Sequence, residues 1–127
     1  MTKKIVLIAE DEFSVAEILA AVLGDAGYRV ETAINGRQAL ERLKEIRPNV
    51  ILVDYMMPVM DGAALLQAVR ADEMLSDIPV VIMSSLPESA IAEECRGYDA
   101  FLRKPFKLAI VTDMVAQIVQ RDDDPAT

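Results

Sequence analysis

The stretch Val50-Ile-Leu-Val-Asp54 is a run of apolar, mostly β-branched residues that stops at an acid. Ile5-Val-Leu-Ile-Ala9 behaves the same way and runs into Glu10-Asp11-Glu12. A third run, Val80-Val-Ile-Met83, ends in Ser84 and Ser85. None of the three shows the polar alternation of a half-exposed strand, so they fit strands buried on both faces, as in a parallel sheet covered by helices. Tyr28 to Ala33 and Ala100 to Leu102 are weaker strand candidates, and their lower hydrophobicity suits the sheet edges.

Between these runs the apolar residues fall at helical spacing. Over 13–26 they are Val15, Ile18, Leu19, Val22, Leu23 and Ala26, with Gly27 as a natural stop. Leu40, Leu43 and Ile46 line a helix over 37–47, closed by Pro48. Leu65, Leu66 and Val69 line one over 62–71, and Val111, Met114, Val115 and Ile118 line one over 106–120. Residues 87–96 give a short, weak helix. Five strands alternating with five helices predict an α/β, flavodoxin-like doubly wound fold with a five-stranded parallel sheet in the order 2-1-3-4-5. A single domain over 1–120 is expected, followed by a flexible acidic tail over 121–127.

Composition narrows the chemistry. The 127 residues are 53% hydrophobic, enough for one core. The net charge of −8 argues against nucleic-acid phosphates and against anionic membrane surfaces as partners. One cysteine, Cys95, builds neither an internal disulfide nor a zinc site. The absence of histidine excludes Ser-His-Asp and Cys-His catalysis, His-ligated metals and a phosphohistidine on this chain. No run reaches the roughly 18 apolar residues of a membrane span, and the N-terminal apolar run is too short for a signal peptide. The expected location is cytoplasmic, without membrane insertion.

In an open α/β sheet, ligands bind beyond the carboxyl ends of the strands. The residues there are Glu10, Asp11 and Glu12 after the first strand, Asp54 at the end of the third, and Ser84 and Ser85 at the end of the fourth. Arg103, Lys104 and Pro105 follow the fifth. Clustered carboxylates without histidine suit a hard cation, and Mg²⁺ is the natural choice. Glu10, Asp11 and Asp54 carry three negative charges, which Mg²⁺ and Lys104 would balance. An Asp carboxylate can attack phosphorus to give an aspartyl-phosphate. Phosphoryl transfer then needs chiefly positioning and charge neutralisation, which a metal, a lysine and a hydroxyl supply.

These segments resemble the response-regulator receiver domain of two-component signalling, of the single-domain CheY-like kind. Ile5 to Glu12 resembles its first strand and acidic pair. Val50 to Gly62, with Met57-Pro58 and Asp61-Gly62, resembles its phosphoacceptor strand and loop. Pro79 to Ser84 resembles its fourth strand, and Phe101-Leu-Arg-Lys-Pro-Phe106 its switch aromatic and Lys-Pro motif. The resemblance runs from residue 4 to about 119, with four motifs in order.

The resemblance implies that Asp54 is the phosphorylated residue and that Asp11 is the direct Mg²⁺ ligand. Glu10 would act through water, and the Met56 backbone carbonyl would complete the protein's share of the metal site. Ser84 would donate to one phosphoryl oxygen. Lys104 would pair with another, and with Asp54 before phosphorylation. It further implies a cis Lys104–Pro105 bond and a switch in which Phe101 turns inward as the Ser84 loop moves.

A stand-alone regulator is therefore expected. A histidine kinase or histidine phosphotransfer protein would phosphorylate Asp54 and switch a surface read by a downstream protein target. The chain would be a monomer or a weak phosphorylation-linked dimer, with no nucleic acid bound and no separate turnover substrate. The segment between Ser84 and Lys104 is shorter than is common in the family, so its helix is expected to be short or mobile and to reshape on phosphorylation. Met56 and Leu86 place apolar side chains beside the acceptor, which predicts slow self-dephosphorylation.

Plainer readings stand beside these. The early acids favour a helix N-terminus. Ser84-Ser85 reads also as a helix cap. Asn35-Gly36 reads as a turn with a left-handed residue. Met56, Met57 and Met60 read as packing residues, Phe101 as a half-buried strand aromatic, and Cys95 as a buried hydrophobe. Two alternative functions are a phosphorylation-independent receiver-like binding module and a Mg²⁺-dependent aspartyl-phosphate phosphohydrolase. The latter would want a second acid at Met56.

Overall fold

The computed structural model describes residues 2–123. Its elements alternate as the apolar runs require: β1 (Ile5–Ala9), α1 (Phe13–Asp25), β2 (Arg29–Ala33), α2 (Gly36–Leu43), β3 (Val50–Asp54), α3 (Gly62–Ala71), β4 (Val80–Ser84), α4 (Glu88–Ile91), β5 (Ala100–Arg103) and α5 (Leu108–Asp123). All strand pairs are parallel and the sheet order is β2-β1-β3-β4-β5. This is the expected doubly wound topology.

β3 and β4 are buried along their whole length, and β1 from Val6 onward, while β2 and β5 at the edges are partly exposed. The strand side chains alternate between two cores. Leu7, Ala9, Ile51, Val53, Val80 and Ile82 face α2, α3 and α4, meeting Ala39, Leu65, Val69 and Ile91. Val6, Ile8, Val50, Leu52, Val81 and Met83 face α1 and α5, meeting Leu19, Leu23, Val111, Val115 and Ile118. Helices on both faces remove the sheet's flat surfaces from water and leave only its carboxyl edge for chemistry.

Several local expectations are corrected. In α1 the buried positions are Ala16, Leu19 and Leu23, whereas Ile18 and Ala26 are exposed. The helix does stop at Gly27, whose φ of 101° few other residues tolerate. Asn35-Gly36 is not a left-handed turn. Asn35 is extended, and its side chain accepts from the Gln38 N–H, so it caps α2. Gly36 is small for a steric reason: a Cβ there would lie 2.8 Å from Met60 Cγ. α2 ends at Leu43, short of residue 47, and α4 is a single turn rather than a helix over 87–96. The serines do not cap α4. Its N-cap position is Pro87, which makes no side-chain cap, and the Ser84 hydroxyl oxygen accepts the Leu86 N–H instead, at 2.9 Å. α5 starts at Leu108 and runs to Asp123, so residues 121–123 continue a helix rather than open a tail. The remainder of the expected tail, 124–127, lies outside the described residues.

Candidate functional site

Glu10, Asp11, Asp54, Ser84 and Lys104 sit at or just past the carboxyl ends of strands, Met56 lies in the loop after β3, and Phe101 lies within β5. Glu10 follows β1, and its N–H donates to Ala33 O at 2.9 Å. Asp54 closes β3 beside Met83 of β4. Ser84 closes β4 beside Arg103, and the next N–H on that edge, from Lys104, donates to Ser84 O at 2.8 Å. The sheet ladder thus continues one step into the site, and four segments deliver their functional groups at one level.

There Asp11, Glu12, Asp54, Met56, Ser84, Ser85 and Lys104 line one concavity of about 210 Å³. Glu10, Asp54 and Ser84 are the buried polar residues at the sheet edge, at 1%, 6% and 2% exposure. Lys104 Nζ donates to Glu10 Oε1 at 2.8 Å and lies 3.5 Å from Asp54 Oδ1. The pairing with Asp54 that the resemblance implied is present, and Glu10 is a second and closer partner. The Lys104–Pro105 bond is cis, as the resemblance implied.

Burial, then a hydrogen bond with Asp54, pushes the Glu10 carboxyl well above the usual carboxylate range. Burial also raises Asp54, against the opposing pull of its bond with Glu10 and the Lys104 charge. Burial alone would lower Lys104. The bond to Glu10 and the charges of Asp54 and Glu10 outweigh it and hold the ammonium charged. Two acids so close in a dry site resist ionising together.

That crowding is what a cation would relieve. Glu10, Asp11 and Asp54 each offer a carboxylate oxygen, and these oxygens lie within 4.8 Å of one another. Glu10 Oε2 is buried without a hydrogen-bond partner. An all-oxygen donor set with an orphaned acceptor fits Mg²⁺ or a water of its shell. Met56 stands at the mouth, 63% exposed, so it does not pack, unlike buried Met57 and half-buried Met60. Its N–H points at Asp54 Oδ1 from 3.4 Å. Because the Ser84 hydroxyl accepts the Leu86 N–H, its own proton is left to donate.

Phe101 is not in this concavity. It is half-buried against the α2–α4 core, its ring 6.5 Å from that of Tyr98, and Cys95 is buried in the same core. A larger apolar groove of about 430 Å³ runs beside the site, lined by Val15, Ile18, Leu19, Pro105, Phe106 and Leu108 with Glu12 and Lys104.

The family model for the response regulator receiver domain matches residues 6–116. This chain belongs to that family. The receiver is 37% identical over 124 residues to the transcriptional regulatory protein PrrA of Mycobacterium leprae, covering 96% of this chain and 52% of that protein. It is 32% identical over 124 residues to the DNA-binding response regulator MtrA of Mycobacterium tuberculosis H37Rv, covering 95% and 53%. The chain spans about half the length of the curated relatives it matches.

Among solved structures the receiver is similar to the chemotaxis response regulator CheY4 of Vibrio cholerae, at 31% identity and a TM-score of 0.86, covering 92% of this chain and 99% of that one. It is also similar to the receiver domain of sensor histidine kinase PA1611 from Pseudomonas aeruginosa PAO1, which has a magnesium ion coordinated in its active-site cleft. That match has 27% identity and a TM-score of 0.87, covering 94% and 99%.

Sequence reasoning missed the polar ties around the site. The Tyr55 hydroxyl donates to Glu94 Oε2 at 2.7 Å and the Tyr98 hydroxyl to Glu88 Oε2 at 2.5 Å. Tyr55 adjoins Asp54 in sequence, which was a signal of position, but nothing local marks a partner 39 residues away. Among the described residues no helix is long and apolar enough to cross a membrane.

Proposed function

We propose that Asp54 accepts a phosphoryl group from the phosphohistidine of a histidine kinase or histidine phosphotransfer protein, and that the modified form is read by a protein partner. The observation that carries this reading is the convergence of Asp11, Asp54, Ser84 and Lys104 from four separate segments on one small concavity, with buried Glu10 paired to Lys104 and close to both other acids. An Asp54 carboxylate oxygen attacks phosphorus, the bond from phosphorus to the donor's imidazole nitrogen breaks, and the imidazole leaves with its electron pair and takes up a proton. Lys104 faces the phosphoryl oxygens as a fixed positive charge, and Ser84 donates its free O–H to one of them. Glu10, Asp11, Asp54 and the Met56 carbonyl would hold Mg²⁺, which supplies the charge neutralisation that three acids and an incoming dianion need.

The chain acts on itself and turns over no separate substrate. The phosphohydrolase alternative lacks its second acid, because Met56 occupies that place at the mouth. The apolar Met56 and Leu86 side chains offer no group to orient an attacking water, so the acyl phosphate is long-lived. With a net charge of −8, this chain's own output is a protein contact rather than a nucleic-acid one. Its setting is that of a cytoplasmic signalling protein.

The test is intact mass after incubation with acetyl phosphate and Mg²⁺. Wild type gains a single phosphoryl adduct that needs Mg²⁺ and decays slowly once donor is removed, and Asp54→Asn gains none. An adduct that persists in Asp54→Asn, or no adduct in wild type, overturns the reading.

A further inference from the structure

The segment between β4 and β5 is poorly equipped to hold itself. α4 has four residues, an extended Pro87 ahead of it and no side-chain cap. The turns that follow rest on Ile91 O, which accepts from the N–H groups of Glu94 and Cys95, and the buried anchors are Ile91 and Cys95. One helical turn has no stability of its own.

Two tyrosines flanking α4 reach it, one at each end, Tyr55 from outside the segment and Tyr98 from its last residues. Tyr98, from the approach to β5, holds Glu88 in the first turn; Tyr55, from the loop after β3, holds Glu94 beyond the last. Tyr55 is itself fixed, since its N–H donates to Met83 O at 2.8 Å and its carbonyl accepts the Gly62 N–H at 2.9 Å. It is also the residue bonded to Asp54. The Tyr98 ring leans on Phe101 at 47°. A continuous path therefore runs from the acceptor through Tyr55 and Glu94 into α4, and out through Glu88 and Tyr98 to Phe101.

We propose that the Tyr55 and Tyr98 hydroxyls clamp the α4 segment, and that Tyr55 is the positioning residue through which a change at Asp54 is felt there. The second half rests on the proposed role of Asp54; the clamp does not. Each hydroxyl donates to a carboxylate, the stronger kind of hydrogen bond. Both phenols are held neutral to about pH 12, first by those bonds, so the clamp is closed throughout the neutral range. The clamp biases a two-state element, and that gives a local chemical event at Asp54 a distant readout.

The test is amide hydrogen exchange on the full chain, comparing wild type with Tyr55→Phe, Tyr98→Phe and the double variant. Phenylalanine keeps both rings and removes only the donors. Without any phosphoryl donor, peptides spanning 88–96 exchange several-fold faster in each single variant and about tenfold faster or more in the double, while α1 is unchanged. Unaltered exchange over 88–96 in the double variant overturns the clamp, as does a uniform rise across the whole chain. Beryllium fluoride with Mg²⁺, a phosphoryl mimic followed by ¹⁹F signal, then changes protection over 88–96 in wild type and Tyr98→Phe but not in Tyr55→Phe. A wild-type response in Tyr55→Phe overturns the transmitting role. A wild type that takes up no mimic overturns the reading of Asp54 and the transmitting role with it, and the clamp stands or falls on the first comparison.

Discussion

Gly62 has no room for a side chain. A Cβ there would lie 2.6 Å from the Asp54 carbonyl oxygen and 2.8 Å from Tyr55 Cα, both backbone atoms that cannot swing aside. Gly62→Ala must therefore push α3 off the end of β3. The expected cost is about 1–3 kcal/mol, read as a lower urea midpoint, together with a reduced adduct on Asp54 at matched folded fraction. The Asp61-Gly62 pair was visible in the sequence; its reason was not, because the clash is with a strand rather than with neighbours along α3. The same holds for the two phenols. Their carboxylate partners raise both to about 12 from an ordinary value of 10.0. A raised folded-state value favours the neutral form, so this contribution to stability is complete below about pH 10 and is lost as pH rises through about 12. Both hydrogen bonds face solvent although the rings are half-buried, so the effect on stability is small. It is read instead as tyrosinate absorbance: two of the three tyrosines ionise near pH 12, and Tyr55→Phe removes one of those two. A tyrosine in a sequence is equally a core residue or a donor, and only its surroundings choose.

Among the elements, β1, β3 and β4 were legible to within a residue because burial on both faces leaves a continuous apolar run, the partly exposed edge strands β2 and β5 gave a weaker signal, and the site acids were legible because they follow the buried strands' ends. Helix lengths were less so. α2 and α4 stop early because their apolar anchors thin out: Ile91 and Cys95 are four apart and support one turn. Asn35 read as a turn former, yet its side chain does the related work of capping. The end of α3 shows how tertiary ties hide in ordinary residues. Arg70 stands in the last turn of α3, where a basic residue also suits the helix dipole. In the fold its guanidinium donates to Gly97 O at 2.8 Å, Ser76 O at 3.0 Å, Ile78 O at 2.7 Å and Asp99 Oδ2 at 2.7 Å. That same Asp99 oxygen accepts the Val80 N–H at 2.8 Å, so one side chain joins α3, the loop into β4 and the approach to β5. Arg70→Ala is expected to cost about 2–3 kcal/mol in chemical denaturation. Arg70→Lys should recover little of it, since an ammonium cannot span the planar fork.

At the scale of the whole molecule, the topology followed from the alternation of runs and stripes and from the handedness of crossovers. The edge at which the acids meet followed from the topology. What sits on the surface beyond that edge, such as the apolar groove beside Lys104, needs coordinates, because its lining comes from α1 and from the turn after β5. The acid cluster also ties fold stability to its ligand. On the proposed reading Mg²⁺ binds an assembled trio of oxygens that the unfolded chain does not present, so it should raise the melting temperature, by an amount equivalent to about 2.7 kcal/mol at a hundred times Kd. Calorimetry with Mg²⁺ and then excess EDTA should show a reversible rise, and Asp11→Asn should lose it while keeping its metal-free melting point within a few degrees.

The contact between Lys104 and Glu10 joins residues 94 positions apart. On a chain emerging from a ribosome, the three carboxylates are made 50 or more residues before the amine that completes them, and the serine 20 before it. A parallel sheet gathers such distant partners late, because each closure must span a helix. An unfinished chain therefore lacks the ammonium that faces Asp54. On the proposed reading, competence to accept a phosphoryl group waits on the segment that follows the last strand of the sheet.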